Sequence, residues 1–141
     1  MGNRIVDRYN LLTDHIENSR LLPFEWGKND CVTFALRYVE KLIDKDLVDR
    51  FCIWKSEEEA EKKIKVFGKD LIEATTNCAD GLGLRKKDVR FLKRTDILVI
   101  DGINGQTIAI CVGDKLIAPG PVGIVFMPID LSKIYACFEV L

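Results

Sequence analysis

The sequence predicts an α+β fold in which N-terminal helices pack on a C-terminal antiparallel sheet. Two observations lead to this prediction. Apolar residues in the first half recur at helical spacing, whereas the second half changes to short apolar runs separated by glycine and proline. The length of 141 residues fits one domain over residues 1–141, and a hydrophobic content of 48% is enough to form its core.

Three helices are predicted before the change of period. Residues 4–19 form the first, with an apolar face that recurs every three to four positions. Residues 31–43 form the second, directly behind the capping residues Asn29 and Asp30. The third begins at Ser56, which forms a capping box with Glu59, and ends at Gly68 as a C′ glycine.

The segment between the third helix and the sheet has a weaker pattern. Residues 71–74 suggest one short helical turn, and Gly81-Leu82-Gly83 suggests a loop. Five short strands then follow: 97–100, 107–112, 115–118, 124–127 and 136–140. Asn104-Gly105 and Gly113-Asp114 are turn signals between them, and Pro119-Gly120-Pro121 is predicted to be a rigid loop.

Composition excludes several classes of function. The formal net charge is −1, so no basic field indicates a nucleic-acid partner. No apolar run approaches the roughly 20 residues of a membrane span. The five cysteines are odd in number and lack metal-ligand spacing, which argues against a zinc site and a disulfide framework. No metal and no cofactor is expected. Those other than Cys31 are predicted to be reduced and buried.

Cys31 is the candidate nucleophile of the chain. It lies in the first turn of the second helix, where free backbone N–H groups and the helix dipole favour a thiolate. This position predicts a Cys31 pKa below about 8.5 and faster alkylation than at the other cysteines. The single histidine, His15, lies on the first helix beside Asp14 and Glu17, which suggests a solvated face, although it could pack towards the cysteine helix.

Three motifs resemble the NlpC-type branch of the papain-like cysteine peptidases. Trp26-Gly27 followed by Asp30-Cys31 is similar to the family's aromatic-glycine and aspartate-cysteine signature. Residues 94–99 are similar to its glycine-aspartate strand entry, with Thr95 where glycine is usual, and residues 107–113 to its histidine strand. The resemblance implies a papain-like, NlpC-type fold in which a helix-borne cysteine faces a sheet.

A group of small phage and prophage proteins of this type resembles the chain most. Its members share a Phe-x-Trp-Gly-x-x-Asp-Cys segment and a late element that corresponds here to residues 123–128. They occur near tail-assembly genes. The resemblance therefore implies a recognition or tail-assembly role, phage proteins as partners, and a location in the host cytoplasm or the virion.

The resemblance also indicates how the catalytic set of the family has changed. The position of the base falls on Thr107, which cannot accept a proton near neutral pH, and the third member falls near Ile117, which is apolar. Thr107 is therefore expected to face Cys31. Trp26 and Asp30 are expected to line the pocket, with packing and helix capping as their simpler roles.

Two other functions stay open on the sequence. One is a thiol hydrolase that acts on a peptide or on peptidoglycan through Cys31, with a base from His15, water or another chain. The other is a purely structural interaction protein whose pocket is filled by its own side chains. An open cleft at Cys31 with a polar group near the sulfur would favour the hydrolase.

Overall fold

The computed structural model describes residues 4–102 and 105–141. Five helices come first in the chain: α1 (Arg4–Ser19), α2 (Cys31–Ile43), α3 (Val48–Phe51), α4 (Glu57–Phe67) and α5 (Leu71–Cys78). Six strands follow: β1 (Leu84–Lys87), β2 (Ile97–Gly102), β3 (Gly105–Cys111), β4 (Lys115–Gly120), β5 (Gly123–Pro128) and β6 (Ile134–Val140). Two short 3₁₀ turns, Val89–Phe91 and Leu131–Lys133, connect strands.

The strands form one antiparallel sheet in the order β1-β6-β2-β3-β4-β5. The predicted α+β class with helices before an antiparallel sheet is therefore confirmed. Within the described ranges, no helix has both the length and the apolar content needed to cross a bilayer.

The two faces of the sheet have separate cores. Val99, Ile108 and Ile110 point to the face that α2 and the other helices cover. Leu98 and Ala109 point to the opposite face, which the segments around Val89, Leu92 and Ile134 cover. Because side chains alternate along a strand, the number of a residue in β3 fixes which core it enters.

The predicted bounds of α1 and α2 agree with the structure at both ends, whereas two details of α4 differ. The Ser56 hydroxyl accepts the Glu59 N–H at 3.1 Å, but the Glu59 carboxylate accepts the Lys55 N–H instead of closing a box on Ser56. Gly68 ends α4 with an extended φ of −177°, not the left-handed conformation expected of a C′ glycine. A Cβ there would lie 2.5 Å from the Ala74 backbone nitrogen, so glycine permits α5 to approach closely.

Other differences concern short elements. The sequence analysis missed α3 and β1, and the predicted turn at residues 71–74 is the full helix α5. Pro119 and Gly120 belong to strand β4 and not to a loop. The predicted turn at Asn104-Gly105 lies partly outside the described residues.

The entry to β2 contains a strained residue. Thr95 has a φ of 81°, in the left-handed region that favours glycine, and is 3% exposed. Its N–H donates to the Cys111 carbonyl at 2.8 Å, which holds this conformation against the end of β3. The next residue, Asp96, accepts the Lys87 ammonium at 2.7 Å and the Lys93 N–H at 2.9 Å. The turn is therefore fixed on both sides of the strained position.

Candidate functional site

Cys31 is the first residue of α2, as predicted, and Asp30 is its N-cap. The Asp30 carboxylate accepts the Thr33 N–H at 2.9 Å, and the Thr33 hydroxyl accepts the Asp30 N–H at 2.8 Å. This reciprocal pair satisfies two backbone donors at the start of the helix. Both side chains are fully buried, at 0% exposure, so the cap belongs to the interior.

The Asp30 carboxylate has two further donors. Its Oδ2 atom accepts the Gly27 N–H at 2.8 Å and the Trp54 indole N–H at 2.7 Å. Three neutral donors thus solvate a buried carboxylate without a cation. The capping interpretation of Asp30 fits this geometry, because the oxygen atoms are occupied by donors that join α2, the preceding turn and the α3–α4 connection.

Gly27 is required by the same arrangement. Its φ is 81°, and a Cβ atom at this position would lie 2.0 Å from the Trp54 carbonyl oxygen. The glycine therefore lets the turn before α2 contact the Trp54 backbone directly. Trp54 was not predicted to be a partner of this motif. The only indication of this role in the sequence is its large aromatic side chain with a single N–H donor.

The Cys31 thiol is held in its protonated form. The residue as a whole is half-buried, but its sulfur lies within the protein, and this burial raises its pKa to about 11. The neighbouring Asp30 carboxylate raises the pKa further, while the N–H groups of Ile108, Val32 and Cys31 itself lower it. Desolvation outweighs the helix N-terminus, so the predicted pKa below about 8.5 is wrong.

Thr107 does not face the cysteine. Its register partner in β2 is Ile100, and both side chains lie on the sheet face away from α2. Its hydroxyl donates to the Gly105 carbonyl at 3.1 Å. Ile108, one residue later, is on the helix side, and its backbone lies against the Cys31 thiol. The expectation that Thr107 points at Cys31 is therefore wrong by one position in the strand.

Ile117, at the expected place of the third catalytic member, is a core residue. It has 0% exposure and pairs with Ile110 on the helix-facing side of the sheet. Trp26 is half-buried against the helix-side core, and its ring packs edge-on to Phe24 with centroids 4.9 Å apart. The aliphatic side chain of Ile117 supplies no group that could orient a base.

His15 is buried against the cysteine helix but is not directed at the cysteine. Its ring stacks on Phe34 at 4.6 Å, and its exposure is 3%, so the interpretation as a solvated face is wrong. The Nε2 atom donates to the Phe34 carbonyl at 2.9 Å, which leaves Nδ1 to accept from the Lys41 ammonium at 3.4 Å. Burial and the Lys41 charge lower its pKa to about 4, so the ring is neutral near pH 7.

The remaining cysteines do not extend the site. Cys52, Cys111 and Cys137 are buried, as predicted, and Cys78 is half-buried. In residues 4–102 and 105–141, no three His, Cys, Asp or Glu side chains converge in a way that could hold a metal ion.

Comparison with known proteins gives the family. Residues 3–140 match the family described as a domain of unknown function, DUF6950. The chain belongs to this family. No curated protein matches the sequence.

Solved structures of NlpC/P60 domains share the fold. The P60 domain of antigen MAP1272c from M. avium paratuberculosis is 10% identical over 98% of this chain and 96% of that one, with a TM-score of 0.50. RipD from Mycobacterium tuberculosis, described as a non-catalytic NlpC/p60 domain protein adapted to peptidoglycan binding, is 11% identical over 95% and 97% of the two chains, with a TM-score of 0.48. At these identities the likeness concerns the fold alone.

The Cys31 thiol lies where α2 begins against the sheet, as the sequence predicted. Its contact on the sheet is the Ile108 backbone, the Asp30 carboxylate accepts three hydrogen bonds, and both His15 nitrogens have other partners. Among the described residues, this arrangement supplies neither a thiolate at neutral pH nor a group placed to protonate a leaving amine.

Proposed function

We propose that the protein is a non-catalytic NlpC-type domain that acts by recognition in the assembly of a phage or prophage tail. The observation that carries the non-catalytic part is the buried, protonated Cys31 thiol against Ile108. General-base assistance is typically worth about 10²–10⁴ in rate, and among the residues that the structure describes no side chain is placed beside the Cys31 sulfur to supply it.

The tail-assembly part is supported by the sequence resemblance. The segment from Phe24 to Cys31 and the element over residues 123–128 are the features shared with the small phage proteins. The first of these is also the segment that the hydrogen bonds of Asp30 connect to Trp54. Under this proposal the motif is retained because it maintains the fold, and the partners are other tail proteins, in the host cytoplasm or in the virion. A peptide or peptidoglycan fragment is the alternative ligand.

Two assays together test this function. The first measures turnover of peptidoglycan and of stem peptides by the wild type and Cys31→Ala, and we expect none from either. The second compares virions of the encoding phage after gene deletion with virions that carry Cys31→Ala. We expect defective tails only after deletion, because Cys31→Ala removes only a buried thiol from the domain.

The opposite results separate the alternatives. Wild-type hydrolysis that is lost in Cys31→Ala would show a thiol hydrolase and overturn the non-catalytic assignment. Normal tails after gene deletion would overturn the assembly role but leave the assignment of the site intact. Binding of the wild type to isolated peptidoglycan with normal tails after deletion would favour the peptidoglycan ligand.

A further inference from the structure

A narrow apolar cavity separates the helical layer from the sheet. Its volume is about 50 Å³, and we refer to it as the slot. Leu36 and Ile97 form its inner wall, and Ile64, Phe67 and Cys78 form its outer wall. The outer residues are only half-buried, so the slot reaches the surface between α4 and α5. The side chains of the protein thus leave an apolar space that opens to solvent.

A wider depression lies on the other side of α4. This groove, between α3 and α4, has a volume of about 830 Å³, within the range of about 300–1,000 Å³ usual for ligand sites. Ile53 and Val66 line it and are 66% and 72% exposed. Trp54 and Lys63 line both the groove and the slot, so the two spaces meet at these side chains.

The groove is lined by more lysines than carboxylates: Lys55, Lys62 and Lys63 against Asp49 and Glu59. Lys63 lies with its ammonium 5.4 Å from the centre of the Phe67 ring. Among the described residues, neither Lys63 nor Lys55 has a carboxylate within 4.0 Å. Asp49 and Glu59 also line the groove, but the Glu59 carboxylate accepts the Lys55 backbone N–H at 2.8 Å. A single anionic group would therefore find free cations where the slot meets the groove.

The walls offer few other polar partners. Nearly all of the slot's side-chain lining is apolar, with the Lys63 and Thr75 side chains and the Trp54 indole as its polar exceptions. A peptide would bring several amide groups that need hydrogen bonds, and leaving them unpaired is costly. An aliphatic chain needs none. An apolar cavity of about 150 Å³ admits benzene, so a slot one third as large takes the end of a chain.

We infer that the slot and the groove together bind a single-chain anionic amphiphile. The apolar end of the chain enters the slot, the chain passes Trp54, and the carboxylate or phosphate head lies at Lys63 and Lys55 in the groove. This ligand class is independent of the tail-assembly role and of Cys31.

Calorimetric titration with three eight-carbon probes tests this inference on the full chain. Octanoate and octyl phosphate carry an anionic head, and octylamine carries a cationic one. We expect both anions to bind and octylamine to bind at least tenfold more weakly. The affinities of octanoate and octyl phosphate, compared with each other, show whether a carboxylate or a phosphate head is preferred. Shortening octanoate should weaken binding by about fourfold for each methylene group that the slot buries.

Matched variants then locate the site. Lys63→Gln should weaken octanoate binding by roughly threefold to tenfold. Lys65→Gln removes an equal charge from an exposed position of the same helix that lines neither space, and it should leave binding unchanged. Cys78→Leu and, separately, Ala74→Leu fill the slot, so at least one folded variant should lose octanoate. Equal binding of octylamine and octanoate, equal effects of the two lysine variants, or no octanoate binding at millimolar concentration would each overturn the inference.

Discussion

The Asp30–Trp54 hydrogen bond provides a quantitative test of how the motif before Cys31 acts. In Asp30→Asn, one amide oxygen can still accept the Thr33 N–H, but an NH₂ group replaces the oxygen that accepts from Gly27 and Trp54. Two buried donors then face another donor. Hydrogen bonds to a charged acceptor contribute roughly 1.5–3 kcal/mol each, so the free energy of unfolding should fall by about 3–5 kcal/mol.

A double-mutant cycle isolates the indole contribution. Trp54→Phe removes one donor and should cost roughly 1.5–3 kcal/mol in the wild-type background. The same change should cost far less in Asp30→Asn, because the amide no longer accepts from the indole, which gives a coupling of about 1–3 kcal/mol. Urea unfolding followed by circular dichroism gives all four values.

Asp70→Asn is the control for a capping carboxylate near the surface. Asp70 caps α5 by accepting the Glu73 N–H, and its other oxygen accepts the Gln106 side-chain amide at 3.3 Å. Asparagine caps as well as aspartate, so the loss of stability there should be limited to that one long bond, about 1 kcal/mol or less. A coupling near zero between Asp30 and Trp54, or a neutral Asp30→Asn, would refute the claim that this carboxylate is an internal anchor.

Three further predictions follow from strain, burial and strand register. Thr95→Gly should be more stable than Thr95→Ala by about 1 kcal/mol in urea unfolding, because both lose the threonine hydroxyl and γ-methyl group and only glycine also lacks the Cβ that strains a φ of 81°. Greater stability of Thr95→Ala would show that the turn is not strained. His15 has a pKa of about 4 in the folded chain and about 6.5 when unfolded, so the unfolded chain binds the proton first as pH falls. Stability should therefore drop by about 2–3 kcal/mol from pH 7 to pH 4.5, and His15→Gln should lack this component; identical slopes would contradict the buried neutral ring. Ile108→His should shift the pH profile of Cys31 alkylation to lower pH, whereas Thr107→His, on the opposite face, should leave it unchanged. The reverse result would show that Thr107, and not Ile108, faces Cys31.

Periodicity was sufficient to predict the longer elements. The apolar spacing and caps predicted α1, α2 and α4, and the apolar runs predicted the five strands β2 to β6. Strand β1 was missed because three of its four residues are basic, as an edge strand permits. Helix α3 has four residues, too few for a periodic signal.

The site was harder to predict because it depends on register and on burial. A shift of one residue moves every side chain of a strand to the other face of the sheet. Such a one-residue shift is why Ile108, and not Thr107, lies on the face of the Cys31 thiol. The indole of Trp54 is 24 residues from Asp30, and no local pattern connects them. The position of Cys31 at a helix start was visible in the sequence, but its desolvation by β3 depends on tertiary packing.

Cys31 is a protonated thiol, and no residue in the described part of the chain is placed beside it as a base. The most direct test is the pH dependence of its alkylation by iodoacetamide, mapped by mass spectrometry in the native and the urea-unfolded chain. With a pKa of about 11 against an ordinary 9.0, native Cys31 should contain about a hundredfold less thiolate than unfolded Cys31 at pH 8. We expect no inflection below pH 9 and slower native labelling than at half-buried Cys78. A Cys31 labelling rate that inflects below about pH 8.5 and exceeds the rate of Cys78 would show an activated nucleophile and contradict a protonated, non-catalytic thiol.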